Sequence, residues 1–293
     1  MTLNPRSAAL AAALFAGLSF SACQAQTPAP AAPTPASAVV QAGVSRLQLT
    51  APDGRAVQVR VWQAADERAV IVFGHGLGGW PEAYDRLIAR WVAAGFTVMA
   101  PLHVDSRQHP DRAAYQPQAG YMARLQDVRL TIDAAAAAHP GKPIVAAGHS
   151  YGTLFALTQA GAATPVGSSV HPAVVSVIGL SSPGAINGLV TAETYARVAR
   201  PVMIVTGDQD LVPGYVADWR DHRLAFDGSP EGGKYLLTFQ GGDHSLVRTA
   251  DETDFEVLAR ATIDFVEATA LNDAQASDRL SGLNAPGLIV ERR

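Results

Sequence analysis

The chain has 293 residues, of which 48% are hydrophobic and 16% charged, with a net charge of −4 when histidine is neutral. That length buries a sizeable core in one large domain or two small ones. The weak negative charge excludes the basic field that nucleic acid or an acidic lipid surface would need. The single cysteine, Cys23, excludes an internal disulfide.

In chain order, residues 1–22 read as a signal peptide. Arg6 precedes "SAALAAALFAGLSFSA", an apolar run of h-region length. It falls short of the ~18 apolar residues a spanning helix needs. The run stops at Ser21-Ala22-Cys23 and so resembles a bacterial lipoprotein signal, with Phe20 where such boxes usually carry leucine. The resemblance implies lipidation of Cys23, anchoring to a membrane outside the cytoplasm and, with Gln24 next, the outer membrane of a two-membrane cell. A plain secretory signal, giving a periplasmic or otherwise exported protein, is the alternative. Residues 23–43 form a Pro/Ala-rich tether: "QAQTPAPAAPTPASA" offers no large apolar side chain to bury and favours extended conformations.

Residues 44–293 are expected to form the folded domain. Val57, Val59 and Val61 alternate with polar residues, which predicts a half-buried strand. "AVIVF" (69–73) is a continuous β-branched run, the pattern of a strand covered on both faces. "FTVMAPL" (96–102), "PIVAAG" (143–148), "VVSVIGLSS" (174–182), "PVMIVTG" (201–207) and "KYLLTF" (234–239) repeat it. Helical stripes lie between them. Tyr84, Leu87, Ile88, Trp91 and Val92 share one face, Gly95 supplies a stop, and residues 121–138 and 253–268 read similarly. "DAAAAAH" (133–139) reads as a helix face against the sheet. Buried strands alternating with amphipathic helices predict an α/β fold, a mostly parallel sheet flanked by helices. The stretch from Ser182 to Pro201 leaves no room for a large lid domain. The polar segment 103–122 follows a strand end, where ligands bind in this architecture. The tail from Leu271 onward is unassigned.

The chemistry-bearing residues all follow strand ends. "PIVAAG" leads into Gly148-His149-Ser150-Tyr151-Gly152, and "TLFALTQAGA" continues as a helix. Glycines two residues either side of a serine permit the sharp strand-to-helix turn that lifts a nucleophile clear of the sheet. A serine hydroxyl also needs a histidine base and an acid to orient it. His244 follows "KYLLTFQGGD", and Asp208 and Asp210 follow "PVMIVTG". The order Ser, Asp, His is that of an elbow serine on such a sheet. The Tyr151 amide, just after the serine, is one expected oxyanion donor. "VFGHGLGG" (72–79) is glycine-rich enough to bring backbone close to a ligand and supply a second.

The segments "FGHGLGG", "GHSYG", "TGDQDLVP" and "GGDHSL" resemble the α/β-hydrolases in order and strand context. Among these the chain is most similar to dienelactone-hydrolase-like and platelet-activating-factor acetylhydrolase-like esterases. The resemblance implies Asp210 rather than Asp208 as the acid, because Gly207, Asp210 and Pro213 match the family loop, and Leu77 as the second oxyanion donor. It implies a Ser150–His244–Asp210 serine esterase acting through an acyl-enzyme on a small-molecule ester, with no cofactor or metal and no nucleic-acid partner. Thioester, lactone or amide cleavage, or a non-catalytic surface lipoprotein, are the alternatives. His103, Trp219 and Leu246 are the candidate substrate contacts. His75 and His149 are expected to order loops beside the site. His109, His139, His171 and His222 show no metal spacing and read as surface or loop residues. "GHGLGG" lacks the Lys-Ser/Thr of a phosphate loop.

Overall fold

The computed structural model describes residues 39–41 and 43–293. The expected signal segment, Cys23 and most of the tether lie outside the described residues. The tether's expected end does not stay irregular. Val39–Gln41 forms strand β1, antiparallel to β2 (Val44–Thr50), across a turn at Gly43 with φ +84°.

The remaining elements in chain order are β3 (Ala56–Trp62), β4 (Ala69–Gly74), α1 (Asp85–Ala93), β5 (Phe96–Pro101), α2 (Pro117–Ala138), β6 (Ile144–His149), α3 (Tyr151–Thr158), β7 (Val174–Leu180), β8 (Val202–Gly207), α4 (Leu224–Gly228), β9 (Lys234–Phe239), α5 (Leu246–Thr249), α6 (Glu252–Ala270), α7 (Ala274–Ser281) and β10 (Leu288–Arg292). They build one sheet of ten strands in the order β1-β2-β3-β5-β4-β6-β7-β8-β9-β10. From β5 to β9 every neighbouring pair is parallel; β1, β2, β3 and β10 join antiparallel. Among the described residues no helix is long and apolar enough to cross a membrane.

The continuous apolar strands are explained by helices on both faces. Val70 and Val72 of β4 pack into one core with Val128 and Ile132 of α2 and Leu154 and Phe155 of α3. Their neighbours Ile71 and Phe73 point the other way, into a core with Leu87, Ile88 and Trp91 of α1 and Phe255, Leu258 and Phe265 of α6. Successive side chains of a strand face opposite sides, so a strand covered twice must be apolar at every position. Each such aliphatic or aromatic side chain contributes about 1.5–3 kcal/mol on burial.

Two expectations are corrected. The alanine run of α2 does not all face the sheet: Ala135 is buried, but Ala136, Ala137 and Ala138 are exposed. The unassigned tail is structural. Residues 274–281 form α7, and β10 adds to the edge of β9, with Ile289 opposite Thr238.

The sheet also places the site. β4 hydrogen-bonds β5 on one side and β6 on the other, so the chain reverses its direction of travel across the sheet here. The crevice beyond the carboxyl ends of such strands is where ligands bind in open α/β sheets. The loops after β4, β6, β8 and β9 meet there.

Candidate active site

Ser150 stands between β6 and α3 with φ 53° and ψ −123°, a conformation L residues rarely adopt. Such backbone costs on the order of 1–3 kcal/mol and persists only where its surroundings over-determine it. Here the Ser150 amide donates to the Leu180 carbonyl at 2.8 Å, and the Ser150 carbonyl accepts from Thr153 at 2.9 Å. Close backbone packing explains the flanking glycines. A Cβ at Gly148 would lie 2.4 Å from Gly152 carbonyl carbon, and one at Gly152 would lie 2.1 Å from the Gly74 oxygen.

The β8 and β9 loops deliver Asp210 and His244. His244 Nε2 lies 3.0 Å from Ser150 Oγ, and His244 Nδ1 lies 2.7 Å from Asp210 Oδ1. With its proton on Nδ1 the ring donates to the carboxylate and accepts from the serine hydroxyl at Nε2. Asp210 is fully buried, and its Oδ2 accepts from Thr206 Oγ1 at 2.9 Å. Burial alone would raise its pKa, but hydrogen bonds from His222 and His244 outweigh burial and hold the carboxyl well below the usual carboxylate range. Asp208 turns away, and its Oδ1 accepts from the Gly241 amide at 2.7 Å, tying the Asp210 loop to the His244 loop.

The glycine-rich loop after β4 lies against the serine. A Cβ on Gly76 would sit 3.4 Å from Ser150 Cβ. Among the described residues, neither the Leu77 nor the Tyr151 amide donates to any protein group. Two polar assemblies hold this loop. The buried Arg124 donates to the His75 carbonyl at 2.8 Å and the Gly76 carbonyl at 3.0 Å. It also pairs with Asp105 at 2.6 Å, and Asp105 accepts from the Gly78 amide at 2.8 Å. On the other side the Gly76 amide donates to Tyr84 Oη at 3.2 Å, and Tyr84 Oη lies 2.9 Å from His149 Nδ1. Burial, then the nearby His244, drives the His149 pKa down to about 3, so its ring is neutral. It accepts from Tyr84 at Nδ1 and donates from Nε2 to the His244 carbonyl at 2.9 Å. His149 thus links the loop that carries Leu77 to the loop that carries His244.

The other expected site residues divide. Leu77 leaves its side chain 54% exposed at the mouth. Trp219 is half-buried, with the Arg220 guanidinium 5.1 Å from its ring centre. His103 is not a substrate contact: its loop folds inward, the ring is fully buried, and Nδ1 lies 2.9 Å from Asp127 Oδ2. Leu246 is not one either, since it packs into the core shared by β9 and α6. His222 is not a surface or loop residue but fully buried, with Nε2 2.9 Å from Asp210 Oδ1. Nothing in the polar run "DWRDHR" marks His222, and Arg124 and Tyr84 read as ordinary helix residues. Their roles arise only when distant loops converge.

Asp210, His222 and His244 bring donor atoms within 4.8 Å of one another. Both imidazoles aim at the same carboxylate oxygen at hydrogen-bond distance.

Residues 65–184 match the serine aminopeptidase family S33. No curated protein sequence matches at a significant level. Solved structures share the fold. A cold-adapted esterase from an Arctic intertidal metagenomic library is 18% identical with a TM-score of 0.60, covering 80% of this chain and 97% of its own. A thermostable carboxyl esterase from Bacillus coagulans is 14% identical with a TM-score of 0.61, covering 78% and 99%. The esterase domain of a Rhodothermus marinus protein is 13% identical with a TM-score of 0.56, covering 78% and 99%.

Proposed function

We propose, for a chain with the α/β-hydrolase fold, that the site is that of a serine esterase with Ser150 as nucleophile, His244 as base and Asp210 as orienting acid. The observation that carries the reading is the hydrogen-bond chain from Ser150 Oγ through His244 to Asp210, with the undonated Tyr151 amide next to the serine and the undonated Leu77 amide in the loop whose Gly76 packs against it. His244 takes the hydroxyl proton as Oγ attacks the ester carbonyl. The developing oxyanion accepts from the Leu77 and Tyr151 amides, each such donor being worth about 3 kcal/mol of barrier. Collapse breaks the ester C–O bond, and the alcohol leaves with the proton from His244. Water, deprotonated by His244, then releases the acid from the acyl-enzyme.

Ester substrates are favoured because the similar structures are named esterases. Within the fold, the four motif segments support the dienelactone-hydrolase-like and platelet-activating-factor acetylhydrolase-like branch. The partial match to a serine aminopeptidase family favours a second reading, amide cleavage. Purified full-length protein assayed against p-nitrophenyl esters of increasing acyl length and against aminoacyl anilides separates the two. Ser150→Ala is expected to remove ester turnover and fluorophosphonate labelling while melting cooperatively; retained turnover refutes the reading. Export and anchoring through lipidated Cys23 complete the proposal, and Cys23→Ala is expected to release the protein from membranes.

A further inference from the structure

We propose that His222 is a charged positioning residue of this site, an imidazolium that pins and neutralises the Asp210 carboxylate from the side away from His244. The proposal rests on the serine-hydrolase reading of Ser150, His244 and Asp210.

The argument is one of donors and acceptors. His222 Nδ1 faces the backbone carbonyl of Ser182. His222 Nε2 lies 2.9 Å from the Asp210 carbonyl and 2.9 Å from its Oδ1. Every one of these oxygens can only accept, because two are peptide carbonyls and the third belongs to an ionised carboxylate. A neutral imidazole has one N–H, so its other nitrogen would press a lone pair against an oxygen lone pair in a fully buried site. An imidazolium donates at both ends and leaves nothing unsatisfied. The Ser182 hydroxyl also donates to the His222 carbonyl at 3.0 Å, so ring and backbone both grip the loop that follows β7.

The charged groups around the ring agree with this assignment. From β8 comes the Asp210 carboxylate, and from β9 comes His244, whose ring lies 5.9 Å away and nearly parallel. On the ring's own segment lie Asp218, Arg220, Asp221 and Arg223, of which Arg220 pairs with Asp218 and Arg223 pairs with Asp227 and Glu291. Burial disfavours the charged ring, but the Asp210 carboxylate and the Ser182 and Asp210 carbonyls raise its pKa above the ordinary imidazole value.

The consequence concerns charge. With His222 protonated, the pair His222–Asp210 is neutral at rest, and proton transfer from Ser150 makes the trio singly positive. The second cation therefore opposes protonation of the triad by solvent and keeps the base free as the medium becomes acidic. Asp210 keeps its geometric role, because both its oxygens remain fixed by His222, His244 and Thr206.

The test uses the full-length chain labelled with 15N-histidine. The ring of His222, assigned by comparison with His222→Gln, is expected to carry protons on both nitrogens at pH 7. In a second arm, the rate of fluorophosphonate labelling of Ser150 is followed against pH, a readout independent of substrate. His222→Gln, which retains a single donor without charge, is expected to move the acid limb of that profile upward by roughly one pH unit. A His222 ring found as one neutral tautomer at pH 7, or an acid limb left in place by the substitution, overturns the proposal. Should His222→Gln fail to fold, assignment by pH titration of the unmodified protein still decides the ring's charge. Full fluorophosphonate reactivity without ester turnover would sink the esterase reading and leave the role of His222 standing.

Discussion

Gly152, on the first turn of α3, rides on the carbonyl of Gly74 at the end of β4, so closely that a methyl group at 152 would come within 2.1 Å of that oxygen. The contact seats the helix of the serine turn directly on the strand that feeds the Leu77 loop. Backbone cannot yield as a flexible side chain does. Gly152→Ala is therefore expected to destabilise the fold by about 3 kcal/mol. Urea denaturation at pH 7 checks this, and an unchanged midpoint would deny the close approach.

The strain at Ser150 gives a comparison between two variants that lack the hydroxyl. Alanine keeps the Cβ that makes φ 53° costly, whereas glycine removes it. Ser150→Gly is expected to melt above Ser150→Ala by roughly 2–4 °C, the equivalent of about 1 kcal/mol in a domain of this size. Calorimetry of the pair decides it, and the reverse order would show that the turn stores no strain.

Asp210→Asn replaces a carboxylate that receives two imidazoles by a group that donates as well as accepts. His244 loses the acceptor that fixes its tautomer, and His222 loses its counter-charge. Turnover is expected to fall by about 10³–10⁴-fold, with a loss of stability of several kcal/mol from the broken buried pair. Steady-state kinetics and thermal melts read the two effects separately. Wild-type turnover in the variant would remove Asp210 from the chemistry.

Stability should depend on pH with a definite sign. Burial first, then nearby cationic groups, lowers the pKa values of His75, His103 and His149, that of His149 to about 3. The unfolded chain takes up these protons below pH ~6.5, while the folded chain does not. Each such histidine then removes about 1.4 kcal/mol of stability per pH unit of acidification. Asp127, whose carboxyl burial raises to about 6, takes its proton first in the folded state and offsets one of the three between pH 6 and 4. His222, raised, stabilises fully below its unfolded value and loses that contribution as pH rises through its folded one. Stability should thus peak near neutrality and fall by roughly 3 kcal/mol per pH unit or more toward pH 5. Denaturant midpoints at pH 7.5, 6.5 and 5.0 test the slope; a flat or rising series would contradict the neutral, buried rings.

Much of this architecture was legible in the chain because burial on both faces leaves an unmistakable mark. Strands such as 69–73 and 201–207 are apolar without a break, and each chemical motif stands one step past such a run. The convergence of Ser150, Asp210 and His244 followed from that repeated placement. What stayed hidden depends on tertiary burial of polar residues. Arg124 sits on α2 with no local sign that its guanidinium will hold two carbonyls of a loop 49 and 48 residues away. His222 shows no metal spacing, and its charged neighbours give no local sign that its ring is buried. Position after a strand end does not say whether a side chain turns inward or outward, and His103 and Leu246 turn inward. β10 is short and lies at an edge, where the apolar pattern weakens.

That outermost strand has a bearing on colloidal behaviour. Without it, the rim of the sheet would be β9, whose unpaired amides and carbonyls and apolar "KYLLTF" run form a ready template for another molecule's strand. β10 covers that template and carries Glu291 and Arg292 beside the exposed Ile289, with Arg223 clasping Glu291 from the body of the protein. The last strand thus exchanges a mostly apolar rim for one that carries more charge, and the Gln240 amide, which donates to the Gly287 carbonyl at 2.7 Å, ties it to the start of the His244 loop.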